Sequence, residues 1–414
     1  MYPTNQLPWL PPVIYWTLIQ SLTGLTVTFT GPKSPLRPII AASTALLAYA
    51  LTVSIQTHFA RARASGPLVA MCWVNVLNAV DLLVLCRASY AAQRVYDRTK
   101  DAKKDKIPEE EDDSSVGRRK LLYALIIPYN LRRINTPWTI SCLPLFDARN
   151  PAYVPGRRAF LFQSVIKLLV STAIVAVIGI DPDDRHLEGV ITQLNDSPTV
   201  LLFRDCSARK LLIQCLFAVS FGIATRATIV GGYTSTAFLA VLCGLEPSSW
   251  PPIAGNLTQA SSLEGLWGSC WHQLLRRPLT STATFLTSLL GIHPKSGIAH
   301  WTRVVIAFTA SGAIHSIMDI AFGVPLSKTG GFWFFSLQIL GVLVETGLKR
   351  LDGLIGLSNV LGRNGTRVLG YLWVCVWLLW TVPVWINPIL LSLWAGGTKV
   401  MSPWLGVPAG WISL

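Results

Sequence analysis

Apolar residues in this chain fall into long runs, not into the alternation that a membrane barrel would need. A helix must carry about 20 apolar residues, and at least roughly 17, to cross a hydrocarbon core of about 30 Å. Runs of that kind predict spans over Trp9–Phe29, Leu36–Gln56, Pro67–Leu85, Ala159–Ile180, Arg303–Val324, Gly330–Gly347 and Val368–Trp394. Leu211–Leu245 is too long for one ordinary crossing and is interrupted by Arg226, Gly231 and Gly232, so it is either two spans or one long broken helix. Leu279–Ile292 is too short to cross. Backbone in lipid must satisfy its own hydrogen bonds, so the expected fold is all-α, a polytopic transmembrane helical bundle of about eight to nine spans. Its expected parts are amino-terminal transmembrane helices over 1–87, a cytoplasmic charged loop with an arginine-bearing stretch over 88–158, and a transmembrane core over 159–414. The first span has no basic residue before it and no small-residue cleavage site, so it reads as a retained anchor and not a removable signal peptide. No internal repeat announces a transporter built from two related halves.

Composition agrees, since 51% of the residues are hydrophobic, 14% are charged and the mean hydropathy is +0.46. The net charge of +14 sharpens the picture because it is unevenly placed: Ala88–Arg158 holds fourteen Lys and Arg, Asp181–Lys210 only four. The positive-inside rule makes the first stretch cytoplasmic, and counting back three spans puts the amino terminus on the lumenal side. Sequons at Asn195 and Asn256 offer a check on sidedness, the first weakened by Pro198. Arg94–Lys120 carries nine basic and eight acidic residues and few apolar ones, so it reads as a solvated, largely disordered loop. Apart from Tyr96 no aromatic interleaves its charges, which argues against a nucleic-acid role. Eight cysteines are scattered, several inside apolar runs (Cys72, Cys215, Cys243, Cys375), with no Cys-x-x-Cys spacing. They read as small apolar fillers and give neither a metal site nor a disulfide framework.

Against this background a few polar groups stand out. Of six histidines only His315 lies deep in a span, in the stretch TASGAIHSIMD, with Ser311 and Gly312 before it and Asp319 one turn after. At i,i+4 spacing His315 and Asp319 share a helix face, and a carboxylate beside an imidazole would hold one tautomer and raise its basicity. The same spacing also suits a histidine that merely hydrogen-bonds a neighbouring helix. A second histidine, His272, sits in LWGSCWHQLLRR after the Pro/Gly/Ser-rich passage Trp250–Ser262. Trp267 and Trp271 fall four apart, so both can lie on one face of a short interfacial helix with His272 beside them and Arg276 and Arg277 at its end near water. Such a stretch could equally be an aromatic anchor with snorkelling arginines. The third cluster, Pro128–Pro144, joins Arg132 and Arg133 to Trp138. Paired guanidiniums can grip phosphates bidentately, or here act only as positive-inside determinants. No Gly-rich phosphate loop, HExxH or GxSxG occurs.

Together NLRRINTPW (Asn130–Trp138), WPPIAGNLTQASSLEGLWGSCWHQLLRR (Trp250–Arg277) and FTASGAIH (Phe308–His315) resemble, in that order, the signature regions of the wax-synthase-like branch of the membrane-bound O-acyltransferase superfamily. That branch includes plant wax ester synthases and fungal acetyltransferases that decorate terpenoids and meroterpenoids. Its first region usually reads Arg-Gly-Ile-Gly followed by Trp; Arg133, Ile134 and Trp138 match, with Arg132 and Asn135 in place of the glycines. Its second usually reads Phe-Trp-Gly-Arg-Arg-Trp-His-Gln; Trp267, Gly268, Trp271, His272 and Gln273 are kept, while Ser269 and Cys270 replace the two arginines.

The resemblance implies an acyl-CoA-dependent O-acyltransferase in which His315 is the general base toward an acceptor hydroxyl, Asp319 supports it, and His272 binds or orients the thioester. It further implies that Trp267, Trp271, Gln273, Arg276, Arg277, Arg132 and Arg133 contribute to binding coenzyme A, with no metal. The TPW sequence and the long charged loop are those of the fungal subgroup. The expected reaction is therefore transfer from acetyl-CoA to a hydroxyl of a lipophilic terpenoid or meroterpenoid, in the endoplasmic reticulum membrane. The alternatives are a long-chain wax ester or sterol acyltransferase, and, outside the enzymes, a transporter with Lys167, Arg226, Glu345 and Asp319 along a polar path. The acceptor's identity and the oligomeric state are not fixed by the sequence.

Overall fold

The computed structural model describes residues 8–62, 64–102, 113–178 and 208–396. Within them every regular element is helical apart from one isolated antiparallel bridge. Seven segments among the described residues are long and apolar enough to cross a membrane: Leu36–Phe59, Ser65–Leu85, Arg157–Ile178, Leu211–Leu242, Gly297–Ala321, Leu326–Ile355 and Ser358–Ala395. The ambiguous stretch resolves as one unbroken 35-residue helix, Ala208–Leu242. The expected first span does form a helix, Leu10–Phe29, but Pro11, Pro12, Gln20 and a series of threonines dilute its apolar character, and it is not among the seven. The central part of the charged loop, the stretch 179–207 and the Asn195 sequon lie outside the described residues. The flanks of that loop are helical, contrary to the disordered reading: Tyr90–Ala102 and Asp113–Ile126 lie against each other with the Tyr90 and Tyr123 rings 5.4 Å apart. Aromatic contact supplies order there that charge counting does not see.

The chain divides into two compact units, neither continuous in sequence: Met1–Ser141 with Leu274–Ala321, and Cys142–Gln273 with Phe322–Leu414.

In the first unit, Ile19, Ala48, Leu51, Ile55, Val69 and Cys72 pack into one core cluster, and Val27, Leu82, Leu83 and Ile127 into another. Arg37, almost fully buried, staples the start of its helix to its surroundings by donating to the carbonyls of Val27, Thr30 and Ala88 and to the Thr30 hydroxyl. Gly24 lets Leu10–Phe29 approach Asp113–Ile126 so closely that any Cβ would overlap the Ala124 carbonyl. Ser65–Val80 runs on through a π-helical turn, Asp81–Leu85, closed by the Cys86 amide on the Asp81 carbonyl.

The second unit shows how a helix sorts its faces when its solvent is lipid. Arg157–Ile178 turns Phe160, Ser164, Ser171 and Ile178 inward and leaves Phe162 and Leu169 two-thirds exposed. Apolar side chains gain little by leaving hydrocarbon, so small and polar residues make the helix contact. Ser171 duly faces Gly231 on Ala208–Leu242, where a Cβ would crowd it. Leu357–Ala395 carries Pro383 and Pro388 and departs from helical geometry at Gly362, where φ is 64°. Gln338, fully buried on Gly331–Ile355, donates to the Thr381 hydroxyl at 3.2 Å and ties the two helices together.

Candidate active site

His315 lies in the long helix Gly297–Ala321 of the first unit, between buried Gly312 and Ile314 on one side and wholly buried Asp319 on the other. Its Nδ1 is 2.7 Å from the backbone carbonyl of Ser311, and the Ser311 hydroxyl lies 3.5 Å away. A carbonyl can only accept, so Nδ1 carries the proton and, in the neutral ring, Nε2 presents a lone pair. The tautomer-setting role that the i,i+4 spacing assigned to Asp319 is thus filled by the Ser311 carbonyl. What the arrangement offers chemically is a half-buried imidazole whose Nδ1 is fixed as the donor.

His272 belongs to the second unit and sits on no helix. Ser262 caps a single helical turn, Leu263–Gly265, by accepting from the Gly265 amide at 2.9 Å. The chain then forms a π-helical turn, Leu266–Cys270, which Trp271 ends by turning extended. The next residues pair antiparallel with the preceding passage: the Gly255 amide donates to Cys270 and the Gln273 amide to Ile253. The expected short helix carrying Trp267, Trp271 and His272 is therefore replaced by a turn and a bridge, because the partner strand comes from residues 253–255. Gly255 is required there, since a Cβ would overlap the Ser269 carbonyl. Arg226 clamps both sides of the pairing, donating to the carbonyls of Cys270 and Gly255 at 2.9 Å each. Trp267 packs edge-on against Trp271 and Phe334 and donates to Gln338 at 3.3 Å, while Gln273 donates to the Cys142 carbonyl at 2.9 Å. His272 itself lines a small pocket with Trp271, Ala254, Ile229 and Arg226.

The arginines are placed differently from expectation. Arg276 and Arg277 begin a helix, Arg276–Leu289, and do not end one. Arg277 Nε and Arg133 Nη2 both donate to a single oxygen of Asp81, at 3.1 and 2.9 Å. Arg133 also donates to the Asn78 side chain at 2.6 Å and to the Asn130 carbonyl at 2.8 Å. Both Arg133 and Asp81 are fully buried. Burial pulls the Arg133 pKa below its ordinary value, with Asp81 opposing; for Arg277 burial also lowers it, but the bond to Asp81 prevails and the net shift is upward. Through Asp81 these two guanidiniums tie together Asp81–Leu85, the turn at Arg133 and the start of Arg276–Leu289. The backbone also corrects the motif register. Arg133 and Asn135 have φ of 55° and 59°, the left-handed region that glycine favours. These two occupy the glycine positions of Arg-Gly-Ile-Gly, so Arg132, buried beside them, corresponds to its arginine.

Residues 250–337, which hold the turn, the bridge and His272, match the Membrane bound O-acyl transferase family. The acetyltransferase fsoF of Humicola fuscoatra is 28% identical over 88% of this chain and 92% of its own length. The acetyltransferase aurG of Calcarisporium arbuscula is 27% identical over 91% of this chain and 93% of its own, and the acetyltransferase TRI7 of Fusarium sporotrichioides 24% identical over 88% and 82%. The matches are those of a membrane-bound O-acyltransferase. No solved structure matches it.

As a membrane-bound O-acyltransferase it is an integral membrane enzyme that takes an acyl-CoA donor and an acceptor, and the transporter reading gives way. Glu345, one residue of that supposed path, is instead committed to the Leu263 amide at 2.6 Å and to Lys349 at 2.8 Å. Sequence reasoning missed Asn78 and Asp81, yet the signal was present: both are polar residues inside the apolar run Pro67–Leu85, where an acid is costly and marks a specific partner.

Proposed function

We propose that this O-acyltransferase moves an acetyl group from acetyl-CoA to a hydroxyl of a terpenoid or meroterpenoid intermediate, in the endoplasmic reticulum membrane. The observation that carries the reading is the His315 imidazole, held by the Ser311 carbonyl with Nε2 as acceptor, inside a helix long and apolar enough to span. Nε2 takes the acceptor's hydroxyl proton as its oxygen attacks the thioester carbonyl. The tetrahedral adduct collapses with loss of the coenzyme A thiolate, which recovers the proton from the imidazolium, giving ester and free thiol. A positioned base of this kind contributes about 10²–10⁴ in rate. A water-poor site also protects the thioester from hydrolysis. Asp319, buried one turn away, stabilises the imidazolium through space. His272 orients the thioester, with Trp271 beside it, while Trp267 and Gln273 hold the shape of the turn that presents them. Arg132, Arg133, Arg276 and Arg277 are the candidates for the phosphates of coenzyme A.

The preference for acetyl over longer chains is supported by the relatives, each named an acetyltransferase. The test is to incubate microsomes holding the protein with acetyl-CoA or palmitoyl-CoA and a panel of hydroxylated terpenoids, sterols and long-chain alcohols, and to read ester products by mass. Acetate esters of terpenoids are expected. Palmitate esters alone would move the reading to a wax ester or sterol acyltransferase, and no ester from either donor would remove it.

A further inference from the structure

The second unit contains a cavity of about 210 Å³ that the acyl-transfer chemistry above does not use. It lies where Arg157–Ile178 packs on Ala208–Leu242, and its walls are largely aromatic: Phe146 and Phe160 with rings 6.4 Å apart, Tyr233 and Trp250 with rings 5.7 Å apart. Two cations line it, Lys167 and Arg226. Lys167 sits at the middle of its 22-residue helix, about 15 Å from either end at ~1.5 Å per residue, too far for its stem to carry the ammonium out of the hydrocarbon. Arg226 gives two N–H groups to the neutral carbonyls of Cys270 and Gly255, which leaves its charge uncompensated. Among the described residues neither cation has a carboxylate within ion-pair distance. A cation at the bilayer centre costs at least about 2.5–3.5 kcal/mol, and such groups ordinarily face a partner. Here two of them face one apolar cavity.

We propose that this cavity binds the ionised carboxylate of a lipophilic acid between Lys167 and Arg226, so that the acceptor is a hydroxy acid and not a neutral alcohol. The aromatic walls suit a fused-ring hydrocarbon and not the hydrophilic polyphosphate of coenzyme A. The volume is below the roughly 300–1,000 Å³ of a site that encloses a whole small molecule, so it takes the acid-bearing end of a larger one. The cavity shares Arg226, Val230 and Ala254 with the pocket of His272, which places the carboxylate beside the residue assigned to the thioester. The proposal rests on the acyl-transfer reading only in naming this ligand the acceptor.

The test is equilibrium binding of a radiolabelled diterpenoid carboxylic acid, abietic acid, and its methyl ester to the purified full chain in nanodiscs. The acid is expected to bind at least about tenfold tighter than the ester. Lys167→Met should abolish that preference and leave ester binding unchanged, which also shows the variant is folded, whereas Lys167→Arg should keep it. Equal binding of acid and ester, a preference that survives Lys167→Met, or displacement of the acid by coenzyme A would overturn the proposal, the last by assigning the cations to the donor's phosphates. Because binding is read without turnover, the two readings fail separately. Acid binding with no ester formed from a hydroxylated diterpenoid acid and acetyl-CoA would sink only the acyl-transfer reading; turnover of alcohols and binding indifferent to a carboxylate would sink only this one.

Discussion

An imidazole whose Nδ1 proton is tied to a backbone carbonyl has a partner that neither ionises nor can be removed by mutating a side chain. The base therefore depends on His315 itself: His315→Ala should lower kcat by at least about a hundredfold while the protein stays at normal abundance in membranes, and near-normal turnover would remove it as the base. Asp319→Asn should cause a smaller fall, because a buried carboxylate supports the charged ring without setting its tautomer; wild-type kinetics would make Asp319 a bystander. At Asp81 the physics is that of a buried ion pair with a shared acceptor. Asp81→Ala leaves Arg133 and Arg277 without their carboxylate and should cost about 3–5 kcal/mol of stability, read as thermal unfolding in detergent. Arg133 holds a left-handed backbone against its own side chain, so Arg133→Gly should be more stable than Arg133→Ala by about 1–2 kcal/mol. Equal losses would show that the turn carries no such strain.

At the scale of elements, two of the departures from regular α-helix are π-helical turns, one beginning at Asp81 and one ending before Trp271. Each widens the helix by a residue and re-aims the chain beyond it, as such turns commonly do near functional groups. The turn before Trp271 is held by the pairing with residues 253–255, so Gly255→Ala should pry the bridge open, with about 1–3 kcal/mol of overpacking and loss of activity in a protein that still enters membranes. Unchanged specific activity would show that the bridge does not shape the site. The long spans were legible because run length and apolarity are local properties of the chain. The conformation of Leu266–Arg277 was not, because the four-residue spacing of Trp267 and Trp271 looks the same in an α-helix as in a π-turn that leads into a strand. What decides it is a partner earlier in the chain. The partner of Arg133 was hidden for a similar reason: it is an acid 52 residues earlier, inside an apolar run.

At the scale of the whole molecule, the basic stretch before residue 158 predicts the sidedness. Whether Leu10–Phe29 crosses determines where the first residues lie, but the side of Asn195 depends only on the crossing Arg157–Ile178. The positive-inside rule predicts residues 88–158 cytoplasmic and Asn195 lumenal, so a glycosidase-sensitive mass shift that disappears in Asn195→Gln is expected in microsomes. A shift that persists unchanged in that variant, or attachment blocked from the cytoplasmic face, would reverse the orientation. The discontinuity of the units has a consequence for how the protein is made. Asp81 precedes Arg133 by 52 residues and Arg277 by 196, and the segment Cys142–Gln273, which belongs to the other unit, must be synthesised in between. At ~5–20 residues per second the ribosome needs roughly 10–40 s to deliver the second arginine. Until then a nascent membrane helix holds a carboxylate first with neither and then with only one of its two guanidinium partners, which makes the early chain a client for whatever in the membrane shelters polar groups.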